Sequence, residues 1–320
     1  MIVLAHKFLI SHFFIFVEIK KKYYIIIMFT LLIMSFHSRH LISKLVESID
    51  KKIPIVIVEN SQDYELKNKL EKEHENVRVI IPDKNLGFAK GANLGISEIK
   101  TEYIFLNPAD VFLPKKCIDE LIECLKEFSD FAMLAPTYTD EATYRNYELY
   151  SEKPKINNNI AKKFGMKEVD IIDGTFIIKK SEFEKIGFFD ENIFIYFEPW
   201  DLSKRISLAG KKMYVCEKIK FEHLGGQSHE PRFNFEATLS RNWHYCWSKF
   251  YYIRKYSNYF YAIKKTFSIL VKASFKCIKY KLSNNKKQYQ IHMAEVKGLI
   301  AAYLLKKSTY RPYESLKKRV

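Results

Sequence analysis

The sequence contains no C-x-x-C pair, and Cys117, Cys124, Cys216, Cys246 and Cys277 show no metal-ligand spacing with histidine. Their odd count and scatter fit free thiols in a reducing compartment. No apolar run reaches the roughly 20 residues needed to span a bilayer. The first 29 residues are apolar but interrupted by Glu18 and Lys20-Lys21-Lys22. The main positive cluster follows the apolar stretch and no small-residue cleavage site is present, which does not suit a signal peptide. Residues 1–28 therefore read as a leader, dispensable if the domain starts at Met28. No internal repeat is visible. Acids are nearly missing from the last stretch: Tyr251 to Val320 holds 17 Lys or Arg against Glu295 and Glu314, so it carries +15 of the net +16.

What is present is an ordinary folded composition, 48% apolar and 28% charged, which excludes disorder throughout. The 25 Phe and 21 Tyr supply rings that pack in a core or against lipid or sugar. A basic tail on a nearly neutral body reads as an anchor for something anionic, nucleic acid or an acidic membrane face. Near an anionic bilayer each basic residue contributes on the order of 1 kcal/mol.

Short apolar runs of buried-strand type occur at Leu31-Leu32-Ile33-Met34, Ile55-Val56-Ile57-Val58, Val77 to Ile81 and Tyr103 to Leu106. Helical patterns lie between them, through Leu41, Leu45 and Ile49, from Tyr64 to Glu73, and from Ala89 to Ile99. Alternation of this kind predicts an open, mainly parallel α/β sheet with its ligands at the carboxyl ends of the strands. The unusual polar residues fall at those ends. The stretch 137–169 reads as an irregular surface excursion. Strand pattern returns at Val169 to Ile172 and Thr175 to Ile178, and a helix is predicted from Ser181. From about Phe235 onward the reading is helical, aromatic and basic.

The segment Asn85-Leu86-Gly87-Phe88-Ala89-Lys90-Gly91-Ala92-Asn93-Leu94-Gly95 resembles the N-x-G-F-A-x-G-x-N-x-G signature of family 2 glycosyltransferases, especially rhamnosyltransferase-like members. Gly87 and Gly91 allow close backbone approach at a helix start, whose amides favour an anionic diphosphate. Tight helix–strand packing explains such glycines as well. Four further blocks agree in order and spacing. Ser35-Phe36-His37-Ser38 stands where the family carries a polar loop after its first strand. Val58-Glu59-Asn60-Ser61 resembles Val-Asp-Asn-Ser, whose acid contacts the nucleotide base, with Glu59 in place of aspartate. Leu106-Asn107-Pro108-Ala109-Asp110 resembles Leu-Asn-Pro-Asp, with the acid displaced by one residue. The resemblance implies a nucleotide-diphosphate donor bound by Ser35, His37, Glu59, Asn60, Asn85, Gly87, Phe88, Gly91, Asn93 and Asn107.

The fourth block, Phe189 to Leu202, resembles Phe-Asp-Glu-x-Phe-Phe-x-Tyr-x-Glu-Asp-x-Asp-Leu, with Arg205 at the usual arginine position. An acceptor hydroxyl must lose its proton as it attacks the anomeric carbon, and a carboxylate supplies the base. The family's usual base position is occupied by Pro199, so the role falls to Glu198 or Asp201. Asp201 can alternatively cap the helix or pair with Arg205. Downstream, Phe221 to Ser228 resembles an H-x-G-G-x-S segment, and Gly174 matches a small residue on the acceptor side. The resemblance implies that Asp110 and His223 hold a divalent cation, Mg²⁺ or Mn²⁺, which suits such an oxygen-rich site.

The resemblance covers roughly residues 31–245. It implies a GT-A fold, a Rossmann-like open mixed sheet with helices on both faces, over residues 29–235, and leaves 236–320 as a basic helical extension. The activity the resemblance implies is inverting transfer of a sugar, with a deoxysugar such as rhamnose among the expected donors, to a hydroxyl of a lipid-linked or surface glycan. Lysines among Phe267, Ile269, Leu270, Val271, Phe275, Ile278 and Tyr280 suit an amphipathic helix on an acidic bilayer, or a helical cap with solvated lysines. The expected location is cytoplasmic, peripheral at the inner face of the membrane. Ala109 and Pro199 leave open a degenerate subunit that binds partners without turnover. Nucleic-acid binding is the remaining class, but no recognition motif for it is present.

Overall fold

The computed structural model describes residues 29–313, other than Ala142, Ser151, Pro154, Lys155, Asn157, Asn158, Gly226 and Gln227. The leader reading for residues 1–28 lies outside them.

The first half alternates as the apolar runs require. Strand β1 (Phe29–Ser35) leads to helix α1 (Arg39–Ser48), β2 (Ile55–Glu59) to α2 (Tyr64–Glu73), and β3 (Val77–Ile80) to α3 (Gly87–Glu98). Next come β4 (Tyr103–Pro108), β5 (Val111–Phe112), α4 (Lys115–Glu127) and β6 (Met133–Tyr138). Short pieces follow: β7 (Tyr147–Glu148), α5 (Asn159–Phe164), β8 (Met166–Glu168), β9 (Ile171–Ile172), β10 (Phe176–Lys179) and α6 (Lys180–Ile186). Helix α7 (Glu198–Leu208) and strand β11 (Met213–His223) precede three long helices, α8 (Asn234–Tyr256), α9 (Tyr259–Leu282) and α10 (Lys286–Tyr303). The excursion expected over 137–169 thus contains β7, α5 and β8, pieces too short to show a period.

The main sheet runs β3-β2-β1-β4-β10-β6-β11-β5, with β8 also paired to β11. Strands β1 to β4 are mutually parallel where paired, while β10 lies antiparallel between β4 and β6. The sheet is therefore mixed, with a four-stranded parallel block on one side of β10 and a parallel β6–β11 pair on the other. Chain order reverses between β1 and β4, and a crevice opens at the carboxyl ends of such strands. Ser35, Glu59 and Pro108 close β1, β2 and β4 at that end.

Both sheet faces are covered, which explains why the strands are continuous apolar runs. One core takes Leu31 and Ile33 with Ile42 and Leu45 of α1, Leu66 and Leu70 of α2, and Leu121 of α4. The other takes Leu32 and Val58 with Ala92 and Ile96 of α3 and Leu202 and Ile206 of α7. Helix α3 approaches closely because it is small on that side. A Cβ on Gly95 would lie 2.5 Å from Leu32 Cδ1, and one on Gly91 2.7 Å from Met34 Cε.

The long helices have their own core of Trp243, Cys246, Trp247, Phe250, Ala262, Ala294 and Leu299. Gly298 lets α10 cross α8, since a Cβ there would come within 2.4 Å of the Trp243 carbonyl oxygen. Among the described residues no helix is long and apolar enough to cross a membrane.

Candidate active site

At the carboxyl end of the parallel block lies a cavity of about 250 Å³. Ser35, Asn60, Asn85, Gly87, Phe88 and Asp110 line it, opposite Tyr196, His229, Arg241 and Tyr313.

The register of two short strands brings the Asp110 corner together. Antiparallel pairing of β5 with β11 sets Val111 opposite His223. Asp110 thereby reaches His223, Oδ2 to Nε2 at 3.7 Å, and the Leu224 N–H donates to the Asp110 carbonyl at 2.9 Å. Ala109 is buried in the core, so the one-residue displacement of the acid sends its carboxylate to the cavity and its neighbour inward. The His223 ring stacks on Tyr138 at 4.9 Å and meets Tyr144 edge-on at 4.6 Å. Its Nδ1 is buried with no hydrogen-bond partner among the described residues. A carboxylate and an imidazole with a spare nitrogen form a donor pair that suits a divalent cation. No group of three or more metal-ligating side chains occurs among the described residues, so further ligands would be substrate oxygens or water.

The second corner is the start of α7. Tyr196 and Phe197 both have positive φ, at 70° and 73°. Such backbone is costly for bulky residues and concentrates at functional sites. It delivers Glu198 to the first turn of α7, two residues after Tyr196 of the cavity lining, though Glu198 is not itself among the lining residues. Glu198 is 3% exposed, and its Oε1 has no hydrogen-bond partner among the described residues. Burial raises its pKa to about 8, helped by the charges of Asp173 and Asp201 and opposed by backbone N–H groups of Glu198 and Tyr196. Asp173 is itself raised to about 6, by burial first and by the charge of Glu148, against a hydrogen bond from the Gly174 N–H. A carboxyl titrating near neutrality can take a proton from a hydroxyl and later release it.

Residues 30–187 match the family described as glycosyl transferase family 2. This chain carries a family 2 glycosyltransferase domain. The family 2 chain is 24% identical over 212 residues to low-salt glycan biosynthesis hexosyltransferase Agl10 of Haloferax volcanii, which covers 61% of this chain and 66% of that protein. It is 27% identical over 183 residues to dTDP-rhamnosyl transferase RfbF of Shigella flexneri, covering 54% of this chain and 60% of the relative. It thus spans less than two thirds of the length of either. The mannosyltransferase PcManGT from Pyrobaculum calidifontis, solved with GDP-Man and Mn²⁺, superposes over 88% of both chains with a TM-score of 0.54 at 12% identity. That likeness fixes the fold as GT-A.

Several residues of the family 2 pattern are occupied inside the protein. The opening amides of α3, expected to face a diphosphate, are taken. Leu86 N–H donates to Asn60 Oδ1 at 3.1 Å, Gly87 N–H to Asn85 Oδ1 at 2.9 Å, and Phe88 N–H to the Phe194 carbonyl at 2.7 Å. Asn60 and Asn85 line the cavity while serving as those clamps. Gly91 packs on Met34 and Asn60, so its smallness serves the helix–sheet contact. Glu59 is fully buried, with Oε2 accepting from Ser35 and Oε1 from Ser61, and it presents no oxygen to the cavity. Burial raises its pKa against those hydrogen bonds. His37 has φ 55° and stacks on Phe233 at 3.9 Å outside the cavity.

The two remaining asparagines are also ties. Asn93 exchanges hydrogen bonds with the Phe189 backbone at 2.9 and 3.0 Å, joining α3 to the acidic motif. Asn107 is fully buried, donating to the Val111 carbonyl at 2.9 Å and accepting from Thr175, and so shapes the turn that presents Asp110.

Asp201 is removed from the candidate bases. It is fully buried and held by Arg205 at 2.9 Å, Lys255 at 2.5 Å and the Tyr256 hydroxyl at 2.8 Å. Lys255 also reaches Asp190 at 2.7 Å, so α8 is pinned to the motif through both acids. Ser248 completes the contact by donating to the Ile195 carbonyl at 3.0 Å. Tyr196, Arg241, His229 and Asp173 were not picked out from the sequence. Two carried a signal: Asp173 by its place beside Gly174, and Tyr196 as the tyrosine of the Phe189 to Leu202 block.

Proposed function

We propose that this protein transfers a sugar from a nucleoside-diphosphate donor to a glycan hydroxyl with inversion of the anomeric configuration. The observation that carries this is the Asp110–His223 pair beside a cavity at the strand ends of a family 2 domain. Asn60, Asn85, Gly87 and Phe88 would bound the donor, and Arg241 would face its diphosphate. Asp110 and His223 would hold Mg²⁺ or Mn²⁺, which offsets negative charge on the departing diphosphate. Glu198 in its ionised form, a fraction that grows as pH rises toward about 8, would accept the proton of the acceptor hydroxyl as the oxygen bonds to the anomeric carbon. The bond from that carbon to the diphosphate oxygen breaks, and the nucleoside diphosphate leaves with the electron pair. Attack from the opposite face inverts the centre. The similarity to a dTDP-rhamnosyl transferase supports a deoxyhexose donor.

Binding of dTDP-, UDP- and GDP-sugars, followed by thermal shift with and without Mn²⁺, tests this. Stabilisation that needs the metal and is lost in Asp110→Ala and His223→Ala is expected. No stabilisation of folded protein by any nucleotide would leave the degenerate, partner-binding reading.

The membrane face belongs to the same proposal. Along α9, Phe260, Phe267, Phe275, Ile278 and Leu282 are exposed by 80, 54, 68, 57 and 83%. At 3.6 residues per turn they fall within one narrow stripe, flanked by lysines. Ile269 and Leu270 instead pack inward on the helical core. This arrangement supports a peripheral seat on an anionic inner leaflet, where a lipid-linked acceptor would lie. Phe267→Ser with Phe275→Ser should release the protein from phosphatidylglycerol vesicles in a flotation assay; unchanged flotation would remove the membrane reading.

A further inference from the structure

A second and larger cleft, about 630 Å³, lies on the other side of Phe194. Three separated segments build it. The loop before α3 brings Lys84, helix α8 brings Arg254, and the strap after α10 brings Lys306, Lys307 and Arg311. Lys90 also lines it, against the cleft's one acid, Glu191, which that lysine approaches at 3.7 Å. Among the described residues no carboxylate pairs with Lys84, Arg254, Lys306 or Lys307.

The strap is anchored rather than loose. Buried His244 accepts at Nδ1 from Ser308 at 2.9 Å and donates from Nε2 to the Tyr310 carbonyl at 2.8 Å. Burial drops its pKa to about 3, so it stays neutral and keeps both bonds. Trp247 Nε1 donates to the Lys306 carbonyl at 2.9 Å. The Arg311 guanidinium lies 3.3 Å over the Phe194 ring, and its N–H groups hold the Ser308 and Tyr310 carbonyls. Lys84, Arg254, Lys306 and Lys307 thus surround one space with no carboxylate paired to them among the described residues, and like charges so placed repel unless an anion joins them. Trp247 and Tyr251 give the same space aromatic walls, which suit a sugar ring.

We infer that this cleft binds a phosphate or diphosphate group of the glycan acceptor. The chemistry selects phosphate over carboxylate, because six cations against one acid call for more charge than one carboxylate carries. Placement selects the acceptor: the cleft shares Asn85 and Phe194 with the donor cavity, so its occupant lies beside the donor. This assignment to the acceptor rests on reading the neighbouring cavity as the donor site. Lipid diphosphates and soluble phosphorylated glycans carry the same group.

Titration calorimetry on the full chain separates the possibilities, using inorganic diphosphate, farnesyl diphosphate and glucose 1-phosphate, with dTDP as the probe of the donor cavity. In Lys306→Gln/Lys307→Gln, diphosphate binding should weaken by about ten-fold or more, while dTDP affinity changes by less than about two-fold. Arg254→Gln should act in the same direction and guards against a folding defect in the double variant, checked by circular dichroism. Saturating dTDP should leave inorganic diphosphate bound. Tighter farnesyl diphosphate than glucose 1-phosphate identifies a lipid-borne acceptor, and the reverse a soluble one. Diphosphate affinity unchanged in both folded variants, or complete displacement of diphosphate by one equivalent of dTDP, overturns the inference. Absence of dTDP binding with diphosphate binding still lost in the variants would sink the donor reading and leave the anion cleft standing.

Discussion

The two acids of the first turn of α7 stand three residues apart and in opposite surroundings. Asp201 is buried among Arg205, Lys255 and Tyr256, which together match its charge and its hydrogen-bonding oxygens. Glu198 is buried with no cation, beside Asp173, and one of its oxygens is unpartnered among the described residues. Equal burial therefore gives unequal chemistry. An acid matched by cations builds structure, and an acid left without them holds its proton near neutral pH.

The largest effect expected from breaking this contrast is on rate. Glu198→Gln should lower sugar transfer by about 10²- to 10⁴-fold, the usual worth of a general base, with nucleotide binding unchanged. Single-turnover transfer from the donor measures it, and a fully active variant would return the role to another group. Next comes stability. Asp201→Asn leaves Arg205 without its carboxylate and Lys255 with Asp190 alone, their side chains being 18 and 29% exposed. Removing one member of a buried pair costs about 3–5 kcal/mol, and partial exposure of these cations lowers that to about 2–3 kcal/mol. Denaturant unfolding would register the loss. The smallest effect is expected for Lys255→Met, about 1 kcal/mol, because Arg205 and Tyr256 still hold Asp201. A loss as large as that of Asp201→Asn would mean Lys255 alone maintains the site.

The same contrast explains what could be seen in the sequence. The parallel strands were legible because burial on both faces makes continuous apolar runs, and β1 to β4 follow them closely. The Asn85 to Gly95 block marked the right place, but not the right contacts. Beyond the local Asn85, its amides and glycines serve Asn60, Phe194 and Met34, partners that become neighbours only after folding. Asp110 lies on the cavity wall, since a displaced acid after Asn107-Pro108 still falls at a strand end. Asp201 could not be told from Glu198, because its decisive partner, Lys255, lies 54 residues away on α8. Arg241 and Tyr196 reach the cavity from segments whose local pattern shows only a helix and an aromatic cluster. The short strands β7 and β8 lacked enough residues to show alternation.

The pH dependence of melting tests the central contrast without knowledge of the acceptor. Folding raises the Glu198 pKa to about 8 from its ordinary 4.5, so the folded protein binds that proton more tightly than the unfolded chain. The stability it contributes is fully present below about 4.5 and is lost as pH rises through about 8. Glu198→Gln should therefore melt with the wild type at pH 5 and several degrees above it at pH 9, whereas Asp201→Asn should melt lower at both. A Glu198→Gln protein that melts below the wild type at both pH values would contradict the account.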